Sequence, residues 1–447
     1  MRLTTKQSVQ SKNNTVSIVP LIEKKRDGLT WTNDDIRYII DAIAHHTLPD
    51  YQLSALLMAI YFKDLNVQEI AAFAEEIILS GTVLDVRSIA LPKISLYTIG
   101  GVGNKTNLAL TALVASCGVV VPNVVTQQES FIFGDLDKIK AIPGMKTDLS
   151  LETCVKQLKK IGCCISQKPD SLVPVDSDLI KMGQATATAN CLPILVSSIL
   201  SKRISSGSEN IVVDIKCGNG SFIRDVAQAK HIASLLTKSI RGLQRRCVAL
   251  ITDMNQPVGN TLGTALELKE IADVLQDKGD ENLKELIIRL GMEMIRLSGV
   301  SGSTLSAKQT IVQHLKDGSA FKKFKELIKE QGGDPTFLDN EKKFPKAKHT
   351  YKIVANKRGY IHSINMAFLA KGVEVLMRQD KNSPIDPAAG LTELQPLGKQ
   401  IQPGDPVMTI HYNDTSRFNT AMEYLRKAYC IAPKRPSSAE LFIERVA

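Results

Sequence analysis

The residues with the clearest capacity for chemistry are three glycines. Gly100, Gly101 and Gly103 stand between an apolar run at residues 94–97 and a helix-like run at 108–116. Strand, glycine loop and helix N-terminus, in that order, build an anion cradle. Glycine lets the backbone take positive φ and come close to a ligand, and the free N–H groups of the first helical turn point into the loop. Phosphate is the usual occupant, and a tight turn holding nothing is the plain alternative. A nucleotide-hydrolase loop is excluded, because it needs glycine directly before Lys105-Thr106 and Asn104 stands there. A second unit of this kind follows at Cys217-Gly218-Asn219-Gly220-Ser221, between a strand-like run at 211–216 and a helical one at 225–237. The seven histidines show no metal-ligand spacing, and none of the eight cysteines forms a Cys-x-x-Cys pair. The thiols read as reduced and buried in a cytoplasmic protein.

Elements that could position these loops follow from pattern. The 447 residues call for more than one domain. Residues 1–17 are polar and read as a disordered tail. Three helices are expected next, the first starting at Thr32 with Ile36, Ile39, Ile40 and Ile43 at helical spacing. From residue 83 strand, loop and helix alternate, with strands at 94–97, 119–125, 163–166, 211–216 and 247–252. That alternation predicts an α/β fold with a mostly parallel sheet, whose ligands bind at the carboxyl ends of the strands. Residues 180–201 return to helical patterning and are rich in small residues. Gly, Pro and Lys mark a linker near 332–350. Short strands at 351–355, 359–364, 372–377 and 406–412, with a final helix at 416–430, predict a β-rich C-terminal domain.

The net charge is +10, concentrated at residues 316–348 and in the tail. No aromatic-interleaved basic motif accompanies that excess, which argues against nucleic acid as a partner and leaves a small anionic substrate as the better reading. No apolar run is long enough to span a bilayer, so no membrane association is expected.

Several stretches, in order and at matching spacing, resemble the thymidine and pyrimidine-nucleoside phosphorylases. They are Lys24-Lys25-Arg26-Asp27-Gly28; Gly100-Gly101-Val102-Gly103; Leu136-Asp137-Lys138 with Ile142-Pro143-Gly144; Leu172-Val173-Pro174 with Asp176; Ala185-Thr186-Ala187-Thr188; Ser198-Ile199-Leu200-Ser201-Lys202; Asp214-Ile215-Lys216; and Thr252-Asp253-Met254-Asn255-Gln256-Pro257. The resemblance implies a helical base-binding domain (18–80 and 175–205), an α/β phosphate-binding domain (81–174 and 206–335), a linker (336–350) and a β-rich domain (351–447). It implies a homodimer that transfers a pentosyl group from a pyrimidine nucleoside to phosphate, with no cofactor beyond phosphate as co-substrate. It places Ser198, Lys202 and Phe222 at the base, Thr98, Gly100, Gly101, Gly103 and Asn107 at phosphate, and Tyr97 and Asp176 at the reacting centre.

The chain also departs from the family pattern. Leu96 stands where the family has a phosphate-binding lysine, Tyr97 where it has histidine, and Asn107 where it has serine. Val125, Gln127 and Asp135 replace the family's Ser, Arg and Thr of the second loop, and Gly183 and Gln184 replace an Arg-Asp pair that clamps the base. Leu96 removes a cation and Asp135 adds an anion, so both changes oppose phosphate binding. Two readings follow: a phosphorylase with weakened or altered phosphorolysis, or a catalytically inactive phosphorylase-fold protein that binds a ligand or a protein partner.

Overall fold

Helix starts follow the capping chemistry of the sequence. The computed structural model describes residues 17–126, 133–340, 342–380, 382–437 and 440–447; most of the expected disordered tail, and Gln127, lie outside these. The chain opens with α1 (Val19–Arg26), α2 (Asn33–Ala44), α3 (Asp50–Lys63) and α4 (Val67–Leu79). A capping box of Thr32 and Asp35 begins α2, and one of Asn66 and Glu69 begins α4. Ile36, Ile39, Ile40 and Ile43 form the buried stripe of α2, as their spacing predicts.

The α/β region follows: β1 (Ile94–Ile99), α5 (Thr106–Ser116), β2 (Val121–Val125), α6 (Asp135–Ile139), α7 (Leu151–Ile161) and β3 (Cys163–Gln167). The chain then returns to the bundle in α8 (Pro174–Ala185) and α9 (Leu192–Ser205), which pack on α2, α3 and α4. It re-enters the sheet at β4 (Asn210–Cys217), α10 (Val226–Gly242) and β5 (Arg246–Asp253), and continues through α11 (Thr264–Val274), α12 (Glu281–Ser298), α13 (Thr304–Lys316) and α14 (Ser319–Glu330). Strands β1, β4 and β5 pair in parallel, with Tyr97 opposite Val213 and Val213 opposite Ala249. β2 and β3 pair in parallel beside them, joined to the main sheet by the bridge Lys93↔Val120. Helices cover both faces, so β1 is buried at every position.

The C-terminal unit comprises β6 (His349–Val354), β7 (Gly359–Ile364), α15 (Met366–Met377), β8 (Gly390–Thr392), β9 (Gln400–Ile401), β10 (Pro406–Tyr412), α16 (Thr415–Ala428), β11 (Tyr429–Ala432) and β12 (Phe442–Val446). It holds two three-stranded antiparallel sheets, β6-β10-β8 and β11-β7-β9.

One expectation is corrected and two details are added. Residues 372–377 are the end of α15, not a strand; Val373 and Val375 suggested a strand, but Leu369, Val373 and Leu376 form a buried helical stripe, and Asn365 caps its start. The helical patterning of 180–201 is divided between two helices. A turn separates α8 from α9, with Ala187 in the left-handed region at φ 58° and Pro193 in the first turn of α9. Beyond the expected final helix, β12 pairs antiparallel with β5, which ties the chain end into the α/β sheet.

Candidate active site

Strand β1 delivers the glycine loop to the carboxyl edge of the sheet. Gly100 has φ 75°, and a Cβ there would lie 2.4 Å from Ser221 Oγ, so only glycine fits between the first loop and the second. Asn104 closes the loop. Its Oδ1 accepts hydrogen bonds from the Thr106 amide (3.2 Å) and hydroxyl (2.8 Å), which satisfies part of the N-terminus of α5.

Tyr97, Thr98, Gly100, Gly101, Asn104, Asn107, Val125, Thr126, Gly134, Asp135 and Lys138 line one cleft. The structure therefore gathers five of the residues expected at phosphate or the reacting centre, together with Asp135. Thr98 Oγ1 lies 3.3 Å from Asn107 Oδ1 and donates to it. Gly103 is not among the lining residues; a Cβ there would strike Leu262 Cδ2 at 2.2 Å, so this glycine packs the loop against the core. Leu96 lies one cavity further back, with Asn107, Thr111, Asn123 and Met294. Asp135 is the first residue of α6 and nearly buried. A carboxylate there is favoured by the helix dipole.

Lys138 is the single cation among the described residues lining the cleft, and its ammonium is engaged. It donates to Asn104 O (2.7 Å) and Phe133 O (3.0 Å) and lies 3.3 Å from Glu267 Oε2. Two more buried lysines support the loop from below. Lys105 Nζ donates to Val258 O at 2.6 Å and pairs with Glu270 at 3.1 Å. Lys216 pairs with Asp214 at 2.8 Å and donates to Thr252 Oγ1 at 3.2 Å. Its Cγ would lie 3.1 Å from a Cβ on Gly101, so it forms the floor of the loop.

A second cluster stands where the base is expected. Ser198 and Lys202 lie one turn apart on α9 and are both buried. Lys202 Nζ lies 3.8 Å from Asp176 Oδ2 and 5.9 Å from the centre of the Tyr97 ring. Arg203, which the sequence alone did not single out, places its guanidinium 4.9 Å from the same ring. Beside Lys202 it resembles a solvated helix face; only the buried packing of α9 brings both cations inward. Tyr97 and Asp176 are thus joined through Lys202. Phe222 is half exposed, with Cδ1 3.6 Å from where a Cβ on Gly100 would sit, so it overhangs the cradle. A Cβ on Gly183 would lie 3.3 Å from Ala189 Cα, so the helix packs closely here where an arginine is expected.

The second glycine loop holds the C-terminal unit. Asn255 Oδ1 accepts from the Asn219 amide at 3.0 Å, and Asn219 Oδ1 accepts from the Met366 amide, the first residue of α15, at 2.9 Å. Asn255 Nδ2 donates to Asp253 Oδ1 at 2.6 Å. Burial pushes the Asp253 carboxyl above its ordinary value against the pull of these Asn255 bonds.

This architecture matches known families. Residues 19–81 match the helical bundle domain of a glycosyl transferase family, residues 94–321 the α/β domain of that family, and residues 374–432 the C-terminal domain of pyrimidine nucleoside phosphorylase. Pyrimidine-nucleoside phosphorylase of Staphylococcus aureus is 34% identical over 401 residues, covering 89% of this chain and 92% of that protein. The enzyme of Staphylococcus epidermidis is 34% identical over 398 residues, with the same coverage. The solved structure of anthranilate phosphoribosyltransferase from Thermus thermophilus covers 69% of this chain and 98% of its own, with a TM-score of 0.56 at 12% identity, which is a likeness of fold. Domain order, the gathered glycine-loop residues and whole-chain similarity together show that the chain belongs to the pyrimidine-nucleoside phosphorylase family.

Proposed function

We propose that the protein carries out phosphorolysis of a pyrimidine nucleoside to free base and pentose 1-phosphate, slowly, with phosphate capture as the weak step. Ser198 and Lys202 hold the base edge, with Phe222 as an apolar wall. Phosphate enters over Gly100 and Gly101 beside Thr98 and Asn107. A phosphate oxygen bonds to C1 of the sugar as the C1–N bond breaks, and the electron pair leaves with the base. Tyr97 and Lys202 face the charge that develops there, and Asp176 holds Lys202 in place. No cofactor is needed; phosphate is the co-substrate.

The observation that carries the weak step is the charge of the cleft. The one cation among the described residues that line it is committed to Glu267 and two carbonyls, while the Asp135 carboxyl group lines the same space. Two anions about 5 Å apart repel by about 3 kcal/mol at an effective dielectric of about 20. Incubation with uridine or thymidine plus phosphate, with free base followed by chromatography, tests the reading. Slow release that rises with phosphate without saturating is the expected result. No release at any phosphate concentration, with the nucleoside still bound, would leave the ligand- or partner-binding reading instead.

We also propose a homodimer. Tyr51, Ala55 and Phe62 are exposed and Met58 half-buried at helical spacing on α3, an uncovered stripe that a second copy would bury. Phe62→Asp is expected to halve the mass seen by light scattering; an unchanged dimer would place the interface elsewhere. The eight cysteines are all free, which supports a reducing, cytoplasmic setting. Among the described residues no helix is long and apolar enough to cross a membrane.

A further inference from the structure

The lysines of 316–348 form no aromatic-interleaved basic motif in the linear sequence, but the fold brings several rings beside the basic segment that follows α14. From 342 to 358 that segment carries Lys342, Lys343, Lys346, Lys348, Lys352, Lys357 and Arg358 and no acidic residue. It includes β6, an edge strand of the sheet β6-β10-β8, exposed at every position but the half-buried Ile353. Among the described residues its outer edge has no strand partner.

β10 and α16 supply the rest. Tyr412 lies 5.2 Å from His349 and stacks on Phe418 at 4.2 Å, and Tyr351 meets Phe418 edge-on at 5.4 Å. The four rings form one row that ends in two exposed rings, His349 and Tyr351. Lys342, Lys346, Lys348, Lys357 and Arg358 are exposed and make no ion pair among the described residues. The basic surface continues back to α14: Lys343 bonds Thr336, which borders a groove lined by Lys322, Lys323, Lys325 and Lys329. Acids accompany these lysines: Asp334 pairs with Lys343, Asp339 with Lys325 and Glu326 with Lys323. Glu393 lies 3.6 Å from Lys352, and Asp414 is paired with Arg417.

A lysine run alone is ordinarily a solvated face. A lysine run along an exposed strand with a row of rings has the two elements that hold single strands, cations for the phosphates and π-faces for the bases. We infer that this face binds single-stranded nucleic acid without reading its sequence. The phosphates follow the lysines from 342 to 358, and bases stack on His349 and Tyr351.

The test is fluorescence anisotropy of a labelled 20-nucleotide oligouridylate titrated with the full chain at several salt concentrations. Binding at micromolar protein in low salt is expected, weakening steeply as salt rises. Tyr351→Ala should weaken it about tenfold, and Tyr351→Phe, which keeps the ring, should not. Lys346→Ser with Lys348→Ser should reduce the salt slope by about 1.4, at about 0.7 for each phosphate contact on a single strand. No binding at 50 mM salt would overturn the inference. So would binding that responds to the lysine changes but equally survives both Tyr351 variants, because that is attraction of any polyanion. Phosphorolysis rates do not enter this readout, so its outcome is separate from that of the proposed activity.

Discussion

The two sides of the glycine loop are built in opposite ways. Below it, Lys105, Lys138 and Lys216 are buried lysines, each paired with a carboxylate at 2.8–3.3 Å. Above it, Thr98 turns toward Asn107, and Asp135 adds a carboxyl group to the lining of the cleft. The underside holds a backbone in a costly conformation; the mouth meets a ligand. Three desolvated ion pairs are kept in support of a cradle whose own lining, on the proposed function, opposes an anion. Shape and affinity are therefore separable here, and a glycine motif reports on shape.

The largest effect is expected below the loop. Lys216→Met leaves the Asp214 carboxylate buried without its cation, and both side chains are fully buried. Chemical denaturation should show a loss of about 3–5 kcal/mol. Adding Asp214→Asn should recover part of it. A loss under about 1 kcal/mol would mean the underside is not what holds the loop, and the contrast between the two sides would fail. On the ligand side, Lys202→Ala should cost about 1.5–3 kcal/mol of nucleoside binding, as for a hydrogen bond to a charged group. Folding stability should change less than binding in the same variant. A loss of stability without a loss of affinity would make Lys202 a structural partner of Asp176 alone.

The smallest effect lies far from the loop, where β12 is fastened. Burial would raise the Glu293 carboxyl, but hydrogen bonds and ion pairs from Arg445 and Arg296 outweigh it and hold the group below 4.5. A depressed folded-state value stabilises the fold above about pH 4.5 and is lost as pH falls through the lowered value. Glu293→Gln should therefore flatten the acid limb of the stability profile and leave neutral-pH phosphate binding alone. An unchanged acid limb would show that the last strand is held by its ladder to β5 and not by these arginines.

The sequence carried much of this fold because local signals and tertiary structure agree over long stretches. The Thr32 cap, the isoleucine stripe of α2, the glycine after α7 and the β-branched runs of β4 and β5 each have one reading. Where they conflicted, packing decided. Val373 and Val375 favour a strand locally, yet Val373 shares a buried helical face with Leu369 and Leu376, and α15 packs against α16. The site was legible wherever backbone geometry demands a residue type, as at Gly100. It was less so where side-chain direction matters. Gly103 and Leu96 sit in the motif but point away from the cleft, and Arg203 points inward from a run that reads as solvated. Strand pleat and helix rotation set those directions, and neither is written in the spacing of the glycines.

The most direct measurement is calorimetric titration of inorganic phosphate into the wild-type chain and into Asp135→Thr. Removing one carboxylate from the mouth while leaving the buried lysine pairs intact should tighten phosphate binding by about 2–3 kcal/mol, roughly 30- to 150-fold. Equal affinity in the two proteins would contradict the account, since it would mean that Asp135 does not govern the anion cradle it lines.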